Sequence, residues 1–222
     1  FKSVSAVTAP SEATGELFKK EFGKDVKVLN IGDIKTDIFF DEANKKKILD
    51  KIYETNPKLK GRKIIVYIST NGEAIDDSAM YEYLYKNYVL LKCYTNLNNA
   101  TETLIYYSDS IIDVSNMFKP YELLSVADIA IGNINAPVLS FMSTGKPVFL
   151  YTKNTNKALS DMETLVDVKE DIKLPIYNNI EDVIKQILNI ENYDYSGYNQ
   201  TKDKYLANCN GKSLENLLNQ LK

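Results

Sequence analysis

The stretch ADIAIGNINAPVLSFMSTGKPVFLY, residues 127–151, reads as a strand, a sharp turn, a short helix and a second strand. Its punctuation places the turn. Gly132 permits a sharp exit from the first strand, Asn135 suits the N-cap, and Pro137 falls in the first helical turn, where its missing N–H costs nothing. Gly145 then ends the helix, and Lys146-Pro147 leads into the next strand. A helix that starts at the carboxyl end of a parallel strand turns free N–H groups and the positive end of its dipole toward the crevice where open α/β sheets bind ligands. Here the turn carries Gly132, Asn133, Asn135, Ala136 and Pro137 in place of hydroxyls and charge. Two readings follow: Asn135 caps the helix itself and the protein fills its own anion site, or Asn133 and Asn135 hydrogen-bond a nucleotide or sugar through a different polar pattern.

Working outward, short apolar runs alternate with helical stripes along the chain. Strands are expected at Val4–Val7, Val26–Asn30, Lys63–Ser69, Val89–Cys93, Ser110–Val114, Ile129–Ile131 and Val148–Tyr151. Runs such as KIIVYIS and YVLLKCY are apolar without alternation, the pattern of strands buried on both faces. Helical stripes are carried by Ile48, Leu49, Ile52 and Tyr53, by Tyr81, Leu84 and Tyr85, by Ile180, Val183, Ile184, Ile187 and Leu188, and by Leu214, Leu217, Leu218 and Leu221. All are read as packing faces. The fold class is therefore α/β, a Rossmann-like parallel sheet with helices on both faces.

Composition narrows the chemistry. At 222 residues and 44% apolar, the chain is long enough to bury a sizeable core. A net charge of −3 argues against a nucleic-acid partner, whose affinity is built from clustered Lys and Arg. The basic runs at 45–47 and 58–63 are read as solvated surface. With no histidine in the chain, Ser-His-Asp triads, Cys-His dyads and His-ligated zinc are excluded, so any proton transfer falls to carboxylates, Lys, Tyr or Cys. Cys93 and Cys209 fit no metal or redox spacing and are expected as free thiols in a reducing compartment, with a disulfide as the alternative. The acidic groups Asp76 and Asp77, Asp109 and Asp113, and Asp167, Glu170 and Asp171 lie in turns or at helix ends, where capping explains them, and no metal site is assigned. No apolar run approaches the length of about 20 residues that a membrane span needs. The chain starts at Phe1 rather than Met, which reads as a fragment of something longer.

With these elements in place, residues 127–151 resemble the C-terminal nucleotide-binding domain of the CDP-glycerol glycerophosphotransferases, bacterial enzymes that build teichoic acids and related polyol-phosphate capsules. That family carries here an aspartate-led strand, a Thr-Asp-Tyr-Ser-Ser turn, a helix and a Lys-Pro-apolar-Tyr strand, and Asp128, Phe141, Lys146, Pro147 and Tyr151 match the frame. Residues 7–40 are similar to its Ser-Glu pair, amphipathic helix and Gly-x-x-Arg-Thr-Asp turn, the last falling on Gly32, Lys35, Thr36 and Asp37. Residues 111–128 and 208–220 resemble the strand and helix before the nucleotide turn and the closing helix. The resemblance implies the C-terminal half of a GT-B type transferase, with residues 1–30 as the tail of the first domain or an interdomain segment and 31–222 as the Rossmann-like nucleotide-binding domain with C-terminal helices.

The polar positions depart from the family where chemistry is expected. The hydroxyl-rich turn becomes Gly132, Asn133, Ile134, Asn135 and Ala136, and a following helix aspartate falls on Ser140. The Lys-x-His-Pro motif keeps Lys92 but has Tyr94 and Thr95, and Pro-Thr-Phe-Arg falls on Ser69, Thr70, Asn71 and Gly72. In such a transferase the His and Arg are implied to neutralise charge on the departing nucleotide, and losing one such donor costs about a hundred-fold or more in rate. The implied donor-binding residues here are Lys35, Thr70, Asn71, Lys92, Tyr94, Thr95, Gly132, Asn133, Asn135, Ala136 and Ser140, with no catalytic residue assigned.

The resemblance implies no cofactor, a CDP- or UDP-linked donor as substrate, a polymer or lipid-linked acceptor, and an N-terminal domain absent from this chain. The expected location is cytoplasmic, with any hold on the inner face of the membrane supplied by another part of the full-length chain. One alternative is a non-catalytic GT-B-like module that binds a partner protein or glycan. Another is a UDP- or GDP-sugar transferase whose ribose-binding carboxylate is Asp161 or Glu163.

Overall fold

The computed structural model describes residues 4–95, 109–156 and 165–221. Asp161 and Glu163 lie outside the described residues. Six strands form one parallel sheet: β3 (Lys63–Ser69), β4 (Tyr88–Tyr94), β5 (Ile111–Asp113), β6 (Ile129–Gly132), β7 (Val148–Tyr151) and β8 (Ile176–Tyr177). Their spatial order is β5-β4-β3-β6-β7-β8, so the chain winds outward from β3 in one direction and outward from β6 in the other. Strand order reverses between β3 and β6, and the crevice over their carboxyl ends is the switch point at which such sheets take ligands.

Both sheet faces are covered. On one face Val66, Ile68, Leu91 and Cys93 meet α2 (Glu42–Thr55), α4 (Pro120–Ser125) and α5 (Ala136–Phe141). On the other, Ile65, Tyr67, Leu90 and Phe149 meet α3 (Asp77–Leu84) and α7 (Ile180–Leu188). A short α6 (Val168–Asp171) precedes β8, and α8 (Ser196–Tyr205) and α9 (Ser213–Gln220) close the chain. Tyr198 of α8 anchors this end, its hydroxyl donating to the carbonyls of Met142 at 2.8 Å and Lys146 at 2.9 Å.

Before the main sheet, β1 (Ala6–Thr8), α1 (Glu12–Phe22) and β2 (Lys27–Leu29) form a separate two-stranded parallel unit. A 3-10 helix, Ile34–Phe40, links it to α2 and is clamped by the C-terminal segment. Asp37 accepts from the N–H groups of Ser213 and Leu214 at 3.1 and 2.9 Å, capping α9 from a distance because Lys212, at the N-cap, offers no side-chain cap. Gly32 sits at φ +104 against Ser213 and the Asn208 carbonyl, where a Cβ has no room.

Four expectations need correction. Gly132 ends β6, and the reason for glycine there is space more than turn freedom: a Cβ would overlap the Ile68 carbonyl oxygen and lie 2.8 Å from Val138 Cγ2. In α3 the buried stripe is Met80 and Leu84, while Tyr81 and Tyr85 stack at 5.0 Å on its outer flank, each 39% exposed. The leucines of α9 are not a packed face: Leu214, Leu218 and Leu221 are more than half exposed, and the first two line an open groove of about 720 Å³ with Ile38 and Phe40. Arg62 is not simply solvated, because its guanidinium donates to the Tyr85 and Tyr88 carbonyls and to Ser110 Oγ at 2.9 Å, tying β3 to the neighbouring strand ends.

Both cysteines are free and buried. Burial, and next the nearby Asp113, pushes the Cys93 thiol up to about 11. Burial likewise raises Tyr67, Tyr193 and Tyr198 well above the ordinary tyrosine range. These groups stay neutral in the folded state and ionise first in the unfolded one, so their contribution is complete below the unfolded thiol value of about 9 and is lost as pH rises toward 11. The urea midpoint is therefore expected to hold flat to mildly alkaline pH and to fall steeply above it, followed by far-UV circular dichroism.

Candidate functional site

At the switch point the turn after β6 is closed on itself. Asn133 is 7% exposed and Asn135 8%, and each of their amides is spent inside the protein. Asn133 Oδ1 accepts from the Thr70 N–H at 3.1 Å, and Asn133 Nδ2 donates to Thr70 Oγ1 at 2.9 Å, bridging the end of β6 to the end of β3. Asn135 Oδ1 caps α5 through the Val138 N–H at 2.9 Å, while its Nδ2 donates to Asn133 O at 2.8 Å and Asn133 Oδ1 at 3.0 Å. Pro137 has no N–H, so Ala136, exposed at the first position of the helix, carries the donor this turn can turn outward. The helix is capped by its own residues, as the Asn-x-Pro punctuation suggests.

The loop leaving β3 is built the same way. Asn71 Oδ1 accepts from Ser69 Oγ and from the Glu73 N–H, both at 3.1 Å. The Glu73 carboxylate reaches across to β7, taking hydrogen bonds from Thr152 Oγ1 at 3.0 Å and from the Lys153 N–H. Thr95 extends the sheet, its N–H donating to the Ser69 carbonyl at 3.0 Å. The Tyr94 ring stands edge-on to Tyr67 at 6.0 Å, and its N–H donates to Ser115 Oγ at 2.9 Å.

Charge is sparse and divided by the sheet. Lys92, 8% exposed, lies on the α3 face and pairs with Asp77 at 2.5 Å, each side chain 11% accessible. An ion pair this enclosed holds α3 to β4 and leaves Lys92 committed. Lys35 is exposed on the 3-10 helix, which packs against the opposite face through Phe39, stacked on Tyr121 at 5.7 Å and edge-on to Phe141 at 5.8 Å. Asp37 does not pair with it, being engaged with α9, so the Lys35 ammonium has no carboxylate partner among the described residues. Ser140 points away from the turn, its Oγ 3.4 Å from the Tyr121 hydroxyl.

Of the eleven residues singled out from sequence, the structure thus gathers Thr70, Asn71, Tyr94, Thr95, Gly132, Asn133, Asn135 and Ala136 around the carboxyl ends of β3, β4 and β6. Lys92 is turned under α3, Ser140 under α4, and Lys35 stands apart on the 3-10 helix. Glu73 and Thr152 complete the arrangement without a sequence signal, because the contact between them spans 79 residues, and Asp77, read from sequence as a capping acid, is instead spent on Lys92. The acidic groups serve the fold: Asp76 caps α3, Asp167 caps α6, and Asp113 accepts from the Ser115 N–H at 2.9 Å.

The Asn133 bridge predicts its own cost. Asn133→Ala strands the Thr70 N–H and hydroxyl and the Asn135 amide in a buried turn, and is expected to lower stability by about 2 kcal/mol. Urea unfolding at constant m-value is the check, and an unchanged midpoint would show that the bridge contributes nothing.

Comparison with known proteins gives the family and the fold. Residues 2–222 match the family described as CDP-Glycerol:Poly(glycerophosphate) glycerophosphotransferase. The chain is 32% identical over 99% of its length to a teichoic acid glycerol-phosphate primase of Bacillus subtilis (strain 168), covering 58% of that protein. It is 24% identical over 99% of its length to a teichoic acid poly(ribitol-phosphate) polymerase of Bacillus spizizenii, covering 38% of it. Among solved structures it resembles a variant of the wall teichoic acid polymerase TagF, with TM-score 0.79 and 21% identity over 98% of this chain and 57% of that one. The fold, a Rossmann-like half of a GT-B architecture, is therefore shared, while the chain spans well under two thirds of each of these proteins.

Proposed function

This chain belongs to the CDP-glycerol:poly(glycerophosphate) glycerophosphotransferase family, and from that premise we propose that it is the nucleotide-binding domain of a polyol-phosphate transferase acting in teichoic acid or capsular polysaccharide synthesis. The donor is a cytidine-diphosphate-activated polyol and the acceptor a polymer or lipid-linked hydroxyl. The observation that carries this reading is the position of Thr70, Asn133, Asn135 and Ala136 at the point of strand reversal, where open α/β sheets bind nucleotides, in a chain matching the family over residues 2–222.

In polyol-phosphate transfer the acceptor hydroxyl attacks the phosphorus next to the polyol, the phosphoanhydride bond breaks, and the cytidine monophosphate leaves with the electron pair. Charge grows on the leaving phosphate, and catalysis rests on placing donors and cations against it. In this chain the Ala136 N–H and the exposed Lys35 ammonium serve that need, with Tyr94 and Thr95 bordering the crevice. Lys92 is already neutralised by Asp77, and Gly72 offers no side chain where the family has arginine. Further cations and the proton acceptor come, on this reading, from the β1–β2 side, read as the tail of the first domain or an interdomain segment, and from the rest of the full-length protein. Contact with the inner face of the membrane would come from that remainder too; among the described residues no helix is long and apolar enough to cross a membrane.

The closed Asn133–Thr70–Asn135 network favours a second reading, a module that binds a partner protein or glycan without turnover. Calorimetric titration with CDP-glycerol, CDP-ribitol, CTP and UDP-sugars separates the two. Saturable binding of cytidine nucleotides, weakened about tenfold by Lys35→Ala through loss of one charge-assisted contact, is the expected result. A folded chain that binds none of these ligands, alone or within the full-length protein, would leave the non-catalytic module standing.

A further inference from the structure

The loop of residues 70–76 does more than connect β3 to α3. β6 lies between β3 and β7 in the sheet, and this loop crosses over its carboxyl end. Its near side is held by the Asn133 bridge to Thr70 and by the Tyr67 hydroxyl, which donates to the Glu73 carbonyl at 2.7 Å. Its far side is held by the Glu73 carboxylate. That carboxylate takes hydrogen bonds from Thr152 Oγ1 at 3.0 Å, from the Lys153 N–H, and from Asn71 Nδ2 at 3.4 Å. Three donors therefore converge on two anionic oxygens at the end of β7, in the mouth of the crevice.

Two neighbouring facts make the arrangement informative. The turn after β6, the usual place for a phosphate, keeps few of its own donors: Asn135 holds the Val138 N–H, Pro137 has none, and the Ala136 N–H is left. The acids next along the chain are committed elsewhere, Asp76 to the α3 cap and Asp77 of α3 to Lys92. Glu73 is the acid that reaches across to β7. The geometry points to a phosphoryl-binding subsite formed by Thr152, Lys153 and Asn71, which Glu73 fills as an internal anion and which a phosphate-bearing ligand enters by displacing it. Carboxylate and phosphate oxygens accept from the same donors, and the two cannot share them because like charges at contact distance repel. Binding is thereby coupled to release of the 70–76 strap.

The identity of the phosphate rests on the function proposed above: it is either the diphosphate of the nucleotide donor or the phosphate of a polyol-phosphate acceptor. The test titrates the intact chain, Glu73→Gln and Glu73→Ala with inorganic pyrophosphate, CDP-glycerol and glycerol 3-phosphate. Both variants are expected to bind pyrophosphate about tenfold more tightly than the parent, since the competing charge is gone. The gain should shrink as salt is raised and vanish when Thr152→Val is added. A folded Glu73→Gln protein with no gain, or a gain that survives Thr152→Val, overturns the proposal; if the alanine variant does not fold, the glutamine variant, which keeps the side-chain length, decides. A matching gain for CDP-glycerol assigns the subsite to the donor, and one for glycerol 3-phosphate assigns it to the acceptor. Gain for pyrophosphate with no CDP-glycerol binding by any of these proteins keeps the subsite and removes the transferase reading. CDP-glycerol binding indifferent to Glu73, without any pyrophosphate gain, keeps the transferase reading and removes the subsite.

Discussion

The approach of β6 to β3 at Gly132 is the constraint from which the crevice follows. The Ile68 carbonyl occupies the space where a side chain would begin, so the two strands stay in register to the last residue of β6. That closeness puts Asn133 within reach of both the N–H and the hydroxyl of Thr70. Asn133 in turn gives Asn135 its two acceptors, which orients the opposite end of that amide onto the first turn of α5. Once α5 is set, Phe141 meets Phe39, and Phe39 carries the 3-10 helix on which Lys35 stands. One steric fact at a glycine is thus transmitted, contact by contact, to the 3-10 helix that carries Lys35.

The same geometry explains what could be read from residues alone. The central strands are legible because a strand buried on both faces is apolar without alternation, as Lys63–Ser69 and Val148–Tyr151 are, and both occur with those bounds. The cap of α5 is legible because Asn135 and Pro137 are local signals. β8 is not, because two residues, Ile176 and Tyr177, carry no periodicity. Tyr81 and Tyr85 mislead because tyrosine serves on a surface as well as in a core, and the α9 leucines because an apolar stripe predicts burial without naming the surface that provides it. Arg62 looks like one more charge in a basic run until the strand-end carbonyls it satisfies are in place.

The site divides along the same line. Which residues border the crevice follows from strand ends and turn chemistry, and is visible in sequence. What those residues do to one another is not, because Asn133 and Thr70 are 63 residues apart, Lys92 and Asp77 15, and Glu73 and Thr152 79. Each pair converts a group that sequence presents as available into one already engaged. A lysine at the end of a buried strand suggests a diphosphate contact; with Asp77 against it, the same lysine is a clasp between α3 and β4.

This changes what binding must accomplish here. A ligand entering an open site adds hydrogen bonds to groups that water held loosely, whereas a ligand entering this crevice exchanges them with protein partners that are pre-placed and partly dry. Exchange of one good hydrogen bond for another is close to neutral, so net affinity has to come from charge or from area that the self-satisfied network does not supply. With Lys92 held by Asp77 and a carboxylate strapped across the end of β7, the described residues around the crevice offer hydrogen-bond geometry more than net positive charge. In a family whose reaction gathers negative charge at the leaving phosphate, such a division is physically workable when cations come from the surface facing the crevice.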